Sequence, residues 1–514
     1  MEFNNMEAFL AVSILIVSIF WYLTVIFKKR EKTLLPPGPW GLPIVGYLPF
    51  LTPNLHTQFT ELAHRYGPIF KLKLGNKLCV VLSSPSLVKE VTRDQDVTFG
   101  NRDPPAAAEA LTYGGFDIAW CPYGSYWRNM RKVFVREMLS GSNLDACYDL
   151  RKDEVIKAVE YVGMRVGKPV EVGNLAFLTE MNVVLSMLWG KTLDSRQQLE
   201  TGTSFRQVFG KMMDLFAKPN VSDFYPSLRR FDIQGIEREA KSLLQTTDEI
   251  FNAAFDKRIK MTEDGIKSDG KKKDFVQILL EIKKFEDTGE EISLTQKKAI
   301  LLTFLLTQFS SCEIKDIVLG GTDTTSTMIE WAMTEIVHHR EVLEKIQTEL
   351  DDVIGPDGAI DESRLPELHY LDAAVKETFR LHHALPFLVP RRPSKSCILD
   401  GYTIPKDARV LINAWAIQRD PEFKPERFLI EPKKWDFSGN NFQFISFGSG
   451  RRICPGIPLA EKMIKYLLAS FLYSFDWNPT KTKEDDLSEK SGIVVRKSDP
   501  LSAIPTKRTR NQLD

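Results

Sequence analysis

One cysteine sits in a segment whose composition suits a metal-binding thiolate. Residues 447–456 read FGSGRRICPG, with glycines, a proline and two arginines around Cys454. That mixture is too irregular for a strand or a helix. Glycine at 450 and 456 lets backbone pass close to a bulky group and adopt positive φ. Exposed N–H groups can then point at the sulfur and favour thiolate over thiol. A helix starting just after the loop favours the same negative charge through its dipole. The plainer reading is a buried cysteine in a turn, and for a lone cysteine it would win. The other cysteines, at 79, 121, 147, 312 and 397, form no C-x-x-C pair. That speaks against a zinc site or a disulfide framework.

Further residues of chemical interest recur downstream and upstream. Glu377 and Arg380, in ETFR, lie three apart on one helix face. Pro425-Glu426-Arg427-Phe428 carries another arginine, Trp127 and Arg131 are four apart, and GGTDTT at 320–325 pairs the acid Asp323 with the alcohol Thr324. Together these resemble the signatures of the cytochrome P450 superfamily, in the family's order and over nearly the whole chain. F-x-x-G-x-R-x-C-x-G is matched at every position, and E-x-x-R, PERF, W-x-x-x-R and the oxygen-binding helix accompany it.

The resemblance implies a haem b prosthetic group with Cys454 as the axial iron ligand. A thiolate there pushes electron density toward bound dioxygen and favours O–O cleavage. By the same resemblance Trp127, Arg131, Arg391 and Arg452 supply donors to the two haem propionates, which would otherwise be buried unpaired. A surface ion pair is the plainer role for Arg131. Phe447 and Gly456 complete the cysteine loop. Gly320 and Gly321 thin the distal helix to make room for dioxygen, and Asp323 with Thr324 forms a proton relay. The alternative for Thr324 is a hydroxyl bonded back to its own helix. Glu377, Arg380 and Arg427 are assigned to a structural network, since a buried charge needs a partner.

The implied reaction inserts one atom of dioxygen into a C–H or double bond, the other leaving as water. Electrons come from NADPH through a cytochrome P450 reductase. No G-x-G-x-x-G fingerprint stands out, which agrees with an external donor. Arg131, Lys132, Arg451, Lys462 and Lys465 offer a basic docking face; a plain solvated surface is the alternative for the two lysines. The segments GYLPFL, YGPIFKL, NRDPPAAAEALTYGG and DIAWCPYGSYWRNMRK look like plant A-type members, nearer terpenoid than flavonoid hydroxylases. Residues 102–120, 385–389 and 491–494 are expected to face the substrate. Their Ala, Leu, Phe, Ile and Val suit an apolar small molecule, although core packing explains the same composition.

These residues need a scaffold, and the expected one is mainly α with a minor β part: a P450 fold in one large catalytic domain, 47–514. Charge is balanced, 68 Lys and Arg against 68 Asp and Glu, which argues against a nucleic-acid partner. Residues 8–27 carry no charge. As a helix they span roughly 30 Å, enough to cross the hydrocarbon core. Basic residues at 28–32 follow, so the positive-inside rule leaves the rest in the cytosol. The expectation is a single-pass anchor in the endoplasmic reticulum membrane, residues 1–30. A cleaved signal peptide fits less well, because no basic n-region and no cleavage site is present. The proline-rich stretch 31–46 reads as a stiff extended linker. Residues 69–82 alternate around Gly75-Asn76 as a hairpin. Leu371, Ala374, Val375, Thr378 and Phe379 form the stripe of a buried helix, and 459–472 is another. Residues 257–290, charged and glycine-punctuated, read as a solvated loop.

Two places depart from the family pattern. Residues 303–315 look like an insertion before the oxygen-binding motif, and Arg419 to Glu422 runs into FKPERF with several residues missing. Thirteen extra helical residues add roughly 20 Å and rotate the two halves by about 220°. The expectation is therefore a break near 309–312, with 320–325 kept over the haem and the upstream segment, 294–302, displaced toward the surface. Two rival functions follow: an oxygen-independent haem-thiolate isomerase or dehydratase, against which Asp323-Thr324 argues, and a non-catalytic haem- or ligand-binding protein.

Overall fold

The computed structural model describes residues 34–189, 208, 211–212, 215–216, 218–264, 274–285, 289–308, 324–355, 358–419, 422–490 and 495–508. The expected anchor at 8–27, the glycines Gly320 and Gly321, Asp323, the expected helix break at 309–312 and the substrate-facing stretch 491–494 lie outside them.

Helices dominate, with small sheets at their flank. The helix Thr324–His338 is buried nearly all round, as a helix in the middle of a core must be. It packs between Val172–Trp189 and Ile457–Ser474. Val172–Trp189 is apolar and long enough to cross a membrane, but most of it is buried within the protein, so its apolar surface is satisfied by neighbouring helices. The stripe from Leu371 to Phe379 is buried in the helix His369–Leu381, as its spacing requires. Ile457–Ser474 likewise contains the apolar 459–472 run.

The main sheet has five strands, in the order Ile69–Leu74, Lys77–Leu82, Arg409–Ile412, Arg391–Arg392, Asn101–Arg102. The first two form the expected hairpin. Leu74 pairs with Lys77 across Gly75-Asn76, and Gly75 takes φ +58°, the positive region a tight hairpin turn demands. Lys77–Leu82 then runs parallel to Arg409–Ile412. Arg391–Arg392 in turn pairs antiparallel with Arg409–Ile412 on one side and Asn101–Arg102 on the other, so the two short arginine-bearing strands lie beside each other.

Three expectations need correction. Residues 257–290 are not one solvated loop: 257–263 finish the helix Ile236–Glu263, and Phe275–Glu281 is a helix that buries Phe275, Val276 and Leu279. Hydrophobic residues at the second helix's core-facing positions outweigh the charged flanks. The linker is neither a free spacer nor extended throughout: Leu42 and Gly46 exchange backbone hydrogen bonds at 2.9 Å across a turn at 43–45. Lys71 N–H donates to Pro37 O at 2.8 Å, and Thr403 N–H to Leu34 O at 2.8 Å, so it is docked on the sheets. Finally, the segment ahead of the insertion is not at the surface. Ala299, Ile300, Leu301, Leu302 and Thr303 are fully buried in the helix Leu294–Gln308. Lys298 pairs with Asp248 at 2.8 Å, and Thr303 Oγ1 accepts the Ile118 N–H at 3.2 Å. These polar ties hold it in the core.

Candidate functional site

The cysteine loop is shaped by glycine. Gly448 and Gly450 adopt φ +78° and +70°. A Cβ at Gly450 would stand 2.0 Å from the Thr92 carbonyl oxygen, so no larger residue fits there without moving backbone. Ile453 N–H closes a short turn on Gly450 O at 3.0 Å, and Cys454 N–H donates to Phe447 O at 3.0 Å. Gly456 N–H points at the Cys454 sulfur at 3.4 Å. The helix Ile457–Ser474 begins directly after it, adding the favourable end of its dipole. Phe447 packs against Phe379 and Phe437, with ring centroids 4.9 and 5.0 Å away. Cys79 and Cys121 are different: burial pushes both thiols up to about 12, which keeps them protonated and poor ligands.

Four guanidiniums gather beside this loop. Arg131 donates to Ile453 O at 2.7 Å. Arg452 donates to Gly100 O at 2.8 Å, to Ile118 O at 3.0 Å and to Cys121 O. Arg391 donates to Phe99 O at 3.4 Å and Ser449 O at 3.1 Å. Arg102 donates to Val389 O at 2.6 Å and Arg452 O at 3.4 Å, while its buried Nε has no partner. Every one of these bonds goes to a backbone carbonyl. Among the described residues no carboxylate pairs with any of the four. Trp127 belongs to the same group: its indole N–H donates to Ile118 O at 2.9 Å, and Arg452 lies 4.3 Å over its ring.

The electrostatics are costly as they stand. Arg102 and Arg391 are directly opposite each other across two antiparallel strands, where like charges repel. Burial lowers Arg452 to about 9 and Arg391 to about 10. Arg102 falls well below its ordinary value through burial and through Arg391, Arg452 and Arg131. Such a cluster calls for anions. The two carboxylates of a haem fit the donors, and a thiolate at Cys454 fits the iron. Arg131, which donates to Ile453 O, has no carboxylate partner among the described residues.

Arg102 was read as the start of the substrate-facing stretch 102–120; its pairing with Arg391 sets it beside the other arginines instead. Asp117 was missed, although an acid inside GGFDIAW was a visible signal, since a buried charge needs a partner. Of the basic face, Lys465 is paired with Asp372 and Glu461 at 3.0 and 2.7 Å. Lys462 lies 3.5 Å from both Asp145 and Glu362.

Behind the loop, Arg380 holds Glu377 through two nitrogens, at 2.7 and 2.9 Å, and donates to Gln418 O and Glu422 O. Arg427 reaches the same carboxylate. The shortened connection thus still brings Arg427 to the pair. On the other side, Thr324 is the first described residue of its helix and is half-buried.

Comparison with known proteins agrees with this geometry. The cytochrome P450 family model matches residues 36–504. The chain is 36% identical to a geraniol 8-hydroxylase of Swertia mussotii, over 94% of this chain and 96% of the relative. It is 35% identical to a flavonoid 3'-monooxygenase of Crocosmia x crocosmiiflora, over 97% of this chain and 98% of the relative. A solved zebra fish cytochrome P450 with progesterone superposes with a TM-score of 0.72 at 25% identity, covering 89% of this chain and all of the other. A loop built to present one thiolate, a cluster of arginines short of anions and a match along most of the chain converge: the chain belongs to the cytochrome P450 family of haem-thiolate monooxygenases.

Proposed function

We propose that this chain hydroxylates an apolar terpenoid alcohol of small size, with electrons from NADPH through a membrane-bound cytochrome P450 reductase. The observation that carries the haem assignment is the buried arginine cluster beside Cys454, whose donors have only carbonyl partners among the described residues. The terpenoid preference rests on likeness to the geraniol 8-hydroxylases of Swertia mussotii and Catharanthus roseus.

Haem held through a thiolate supplies the activation of dioxygen. The remaining work falls to the chain. Cys454 offers the thiolate, kept anionic by the Gly456 N–H and the helix behind it. Arg102, Arg131, Arg391, Arg452 and the Trp127 indole would hold the carboxylates of the haem, and Phe447 and Gly456 shape the face of the loop. By the family resemblance Thr324 and Asp323 would serve as the proton relay, and Gly320 and Gly321 would make room for dioxygen. Glu377, Arg380 and Arg427 keep the loop's supporting helix in place and take no part in proton transfer. One oxygen atom enters the substrate and the other leaves as water, at the cost of two electrons and two protons. Residues 1–30 anchor the chain in the endoplasmic reticulum membrane, 31–46 join anchor to domain, and 47–514 form the catalytic domain on the cytosolic side.

The test is absorbance of the reduced, carbon-monoxide-bound protein, followed by NADPH- and reductase-dependent turnover of geraniol and of a flavonoid. Cys454→Ser is expected to abolish the thiolate-type band while Cys397→Ser keeps it. A Cys454→Ser protein that retains the band refutes the ligand assignment, and turnover of the flavonoid alone refutes the substrate class. Deleting residues 8–27 should release the protein from membranes with haem binding intact.

A further inference from the structure

Asp117 is fully buried and makes no ion pair among the described residues. Its carboxylate accepts N–H bonds from Ala119 at 3.1 Å and Trp120 at 3.3 Å, the arrangement of an Asx turn. Cys121 N–H closes the same turn on Asp117 O at 3.2 Å. The turn displays its carbonyls to the arginine cluster. Ile118 O accepts from both Trp127 and Arg452, and Cys121 O accepts from Arg452. Ile118 N–H is fixed in turn by Thr303 Oγ1. Asp117 therefore sets the acceptors that orient two of the donors assigned to the propionates.

It also carries charge where charge is short. Two haem carboxylates and one thiolate leave four guanidiniums with positive charge to spare. Asp96, the other acid nearby, bonds Arg451. Arg452 acts on Asp117 through its charge and the Thr112 hydroxyl through a hydrogen bond, while Cys121 and Tyr126 feel the charge of Asp117 in return. We infer that Asp117 is a positioning residue for the haem, fixing the turn that aims Arg452 and Trp127 and supplying a titratable negative charge that lowers the iron's reduction potential.

This rests on the haem assignment above. Burial raises the Asp117 carboxyl to about 7. Arg452 stays cationic below about 9, and Cys121 stays a thiol to about 12. Near neutrality Asp117 is thus the group of this set that changes charge. A negative charge in the turn that aims Arg452 and Trp127 favours the oxidised state of the haem, so the potential should fall as pH rises through about 7.

The experiment is a spectroscopic redox titration of the haem-loaded protein between about pH 6 and 8, a unit either side of that value, for the parent and Asp117→Asn. Asparagine keeps the size and removes the charge. The expected result is a higher potential in the variant at pH 8, converging with the parent at pH 6, with the variant's pH dependence flattened. A variant that titrates like the parent overturns the inference, because the haem carboxylates then account for the dependence. A parent whose potential ignores pH overturns it as well. Should Asp117→Asn fail to retain haem, Asp117→Glu must retain it through its charge, and an equally haem-free Glu variant overturns the inference. Absence of the thiolate-type carbon monoxide band in the parent would instead defeat the haem assignment, so the two failures are separable.

Discussion

Glu377 Oε1 lies 3.0 Å from Nε of Arg427, a residue fifty positions further along the chain. The same oxygen accepts the Lys424 N–H at 2.7 Å and faces Arg380. Glu377 is fully buried. Removing it leaves the buried Arg380 without its carboxylate and takes one acceptor each from Arg427 and the Lys424 N–H. Glu377→Ala is expected to cost about 3–5 kcal/mol, the usual loss when one partner of a buried pair is deleted. Thermal unfolding and the yield of haem-loaded protein read this directly; an unchanged melting temperature would contradict it.

Arg102 and Arg391 lend themselves to a test of opposite signs. Their mutual repulsion burdens the haem-free protein, whereas both donors serve the haem carboxylates. Arg102→Leu should therefore raise the melting temperature of the haem-free form yet speed haem loss. A bond to a charged group contributes about 1.5–3 kcal/mol, so roughly a tenfold or greater rise in haem loss is expected. Transfer of haem to an acceptor protein measures it, and a variant that loses haem no faster than the parent removes Arg102 from the site.

Glu180 provides a pH dependence with a definite sign. It is buried in the helix Val172–Trp189, and its Oε1 has no partner. Arg151, the cation it feels, is already held by Glu362 at 2.7 Å through two nitrogens. Burial raises the Glu180 carboxyl from 4.5 to about 8. The folded state then binds the proton more tightly than the unfolded one. Its contribution to stability is complete below pH 4.5 and is lost progressively as pH rises to about 8. Melting temperatures at pH 5.5 and 8 should differ in the parent, and the difference should narrow in Glu180→Gln, with Asp117 supplying part of what remains. Equal slopes in both would locate the titration elsewhere.

Deleting residues 303–315 is the direct test of the insertion. Asp316 would then follow Leu302, and the Thr303 hydroxyl that accepts the Ile118 N–H would be lost. Turnover with reductase should be preserved or increased. Loss of turnover in a protein that still binds haem would show that the inserted residues are required.

Local pattern was enough where neighbours in sequence are neighbours in space. The stripe of His369–Leu381 and the hairpin about Gly75-Asn76 follow from periodicity and turn chemistry, and the cysteine loop from its glycines. Pattern fails where a distant segment decides. Arg102 enters the site because Arg391 returns 289 positions later to pair with it. Residues 297–303 stay buried, with Asp248 holding Lys298 and Ile118 holding Thr303. Phe275, Val276 and Leu279 were hidden among charges that face away from their core.

The opposed arginines also bear on how the protein matures. A chain that has folded its sheet before acquiring haem holds two like charges face to face across adjacent strands. Any ligand that binds only the folded state stabilises it by mass action, and here that ligand also relieves the repulsion. Haem supply thus acts as a checkpoint on the polypeptide itself: in a cell short of haem, newly made chains open more often and are presented to proteases. The steady-state amount of this protein should then follow haem synthesis, even at constant messenger level.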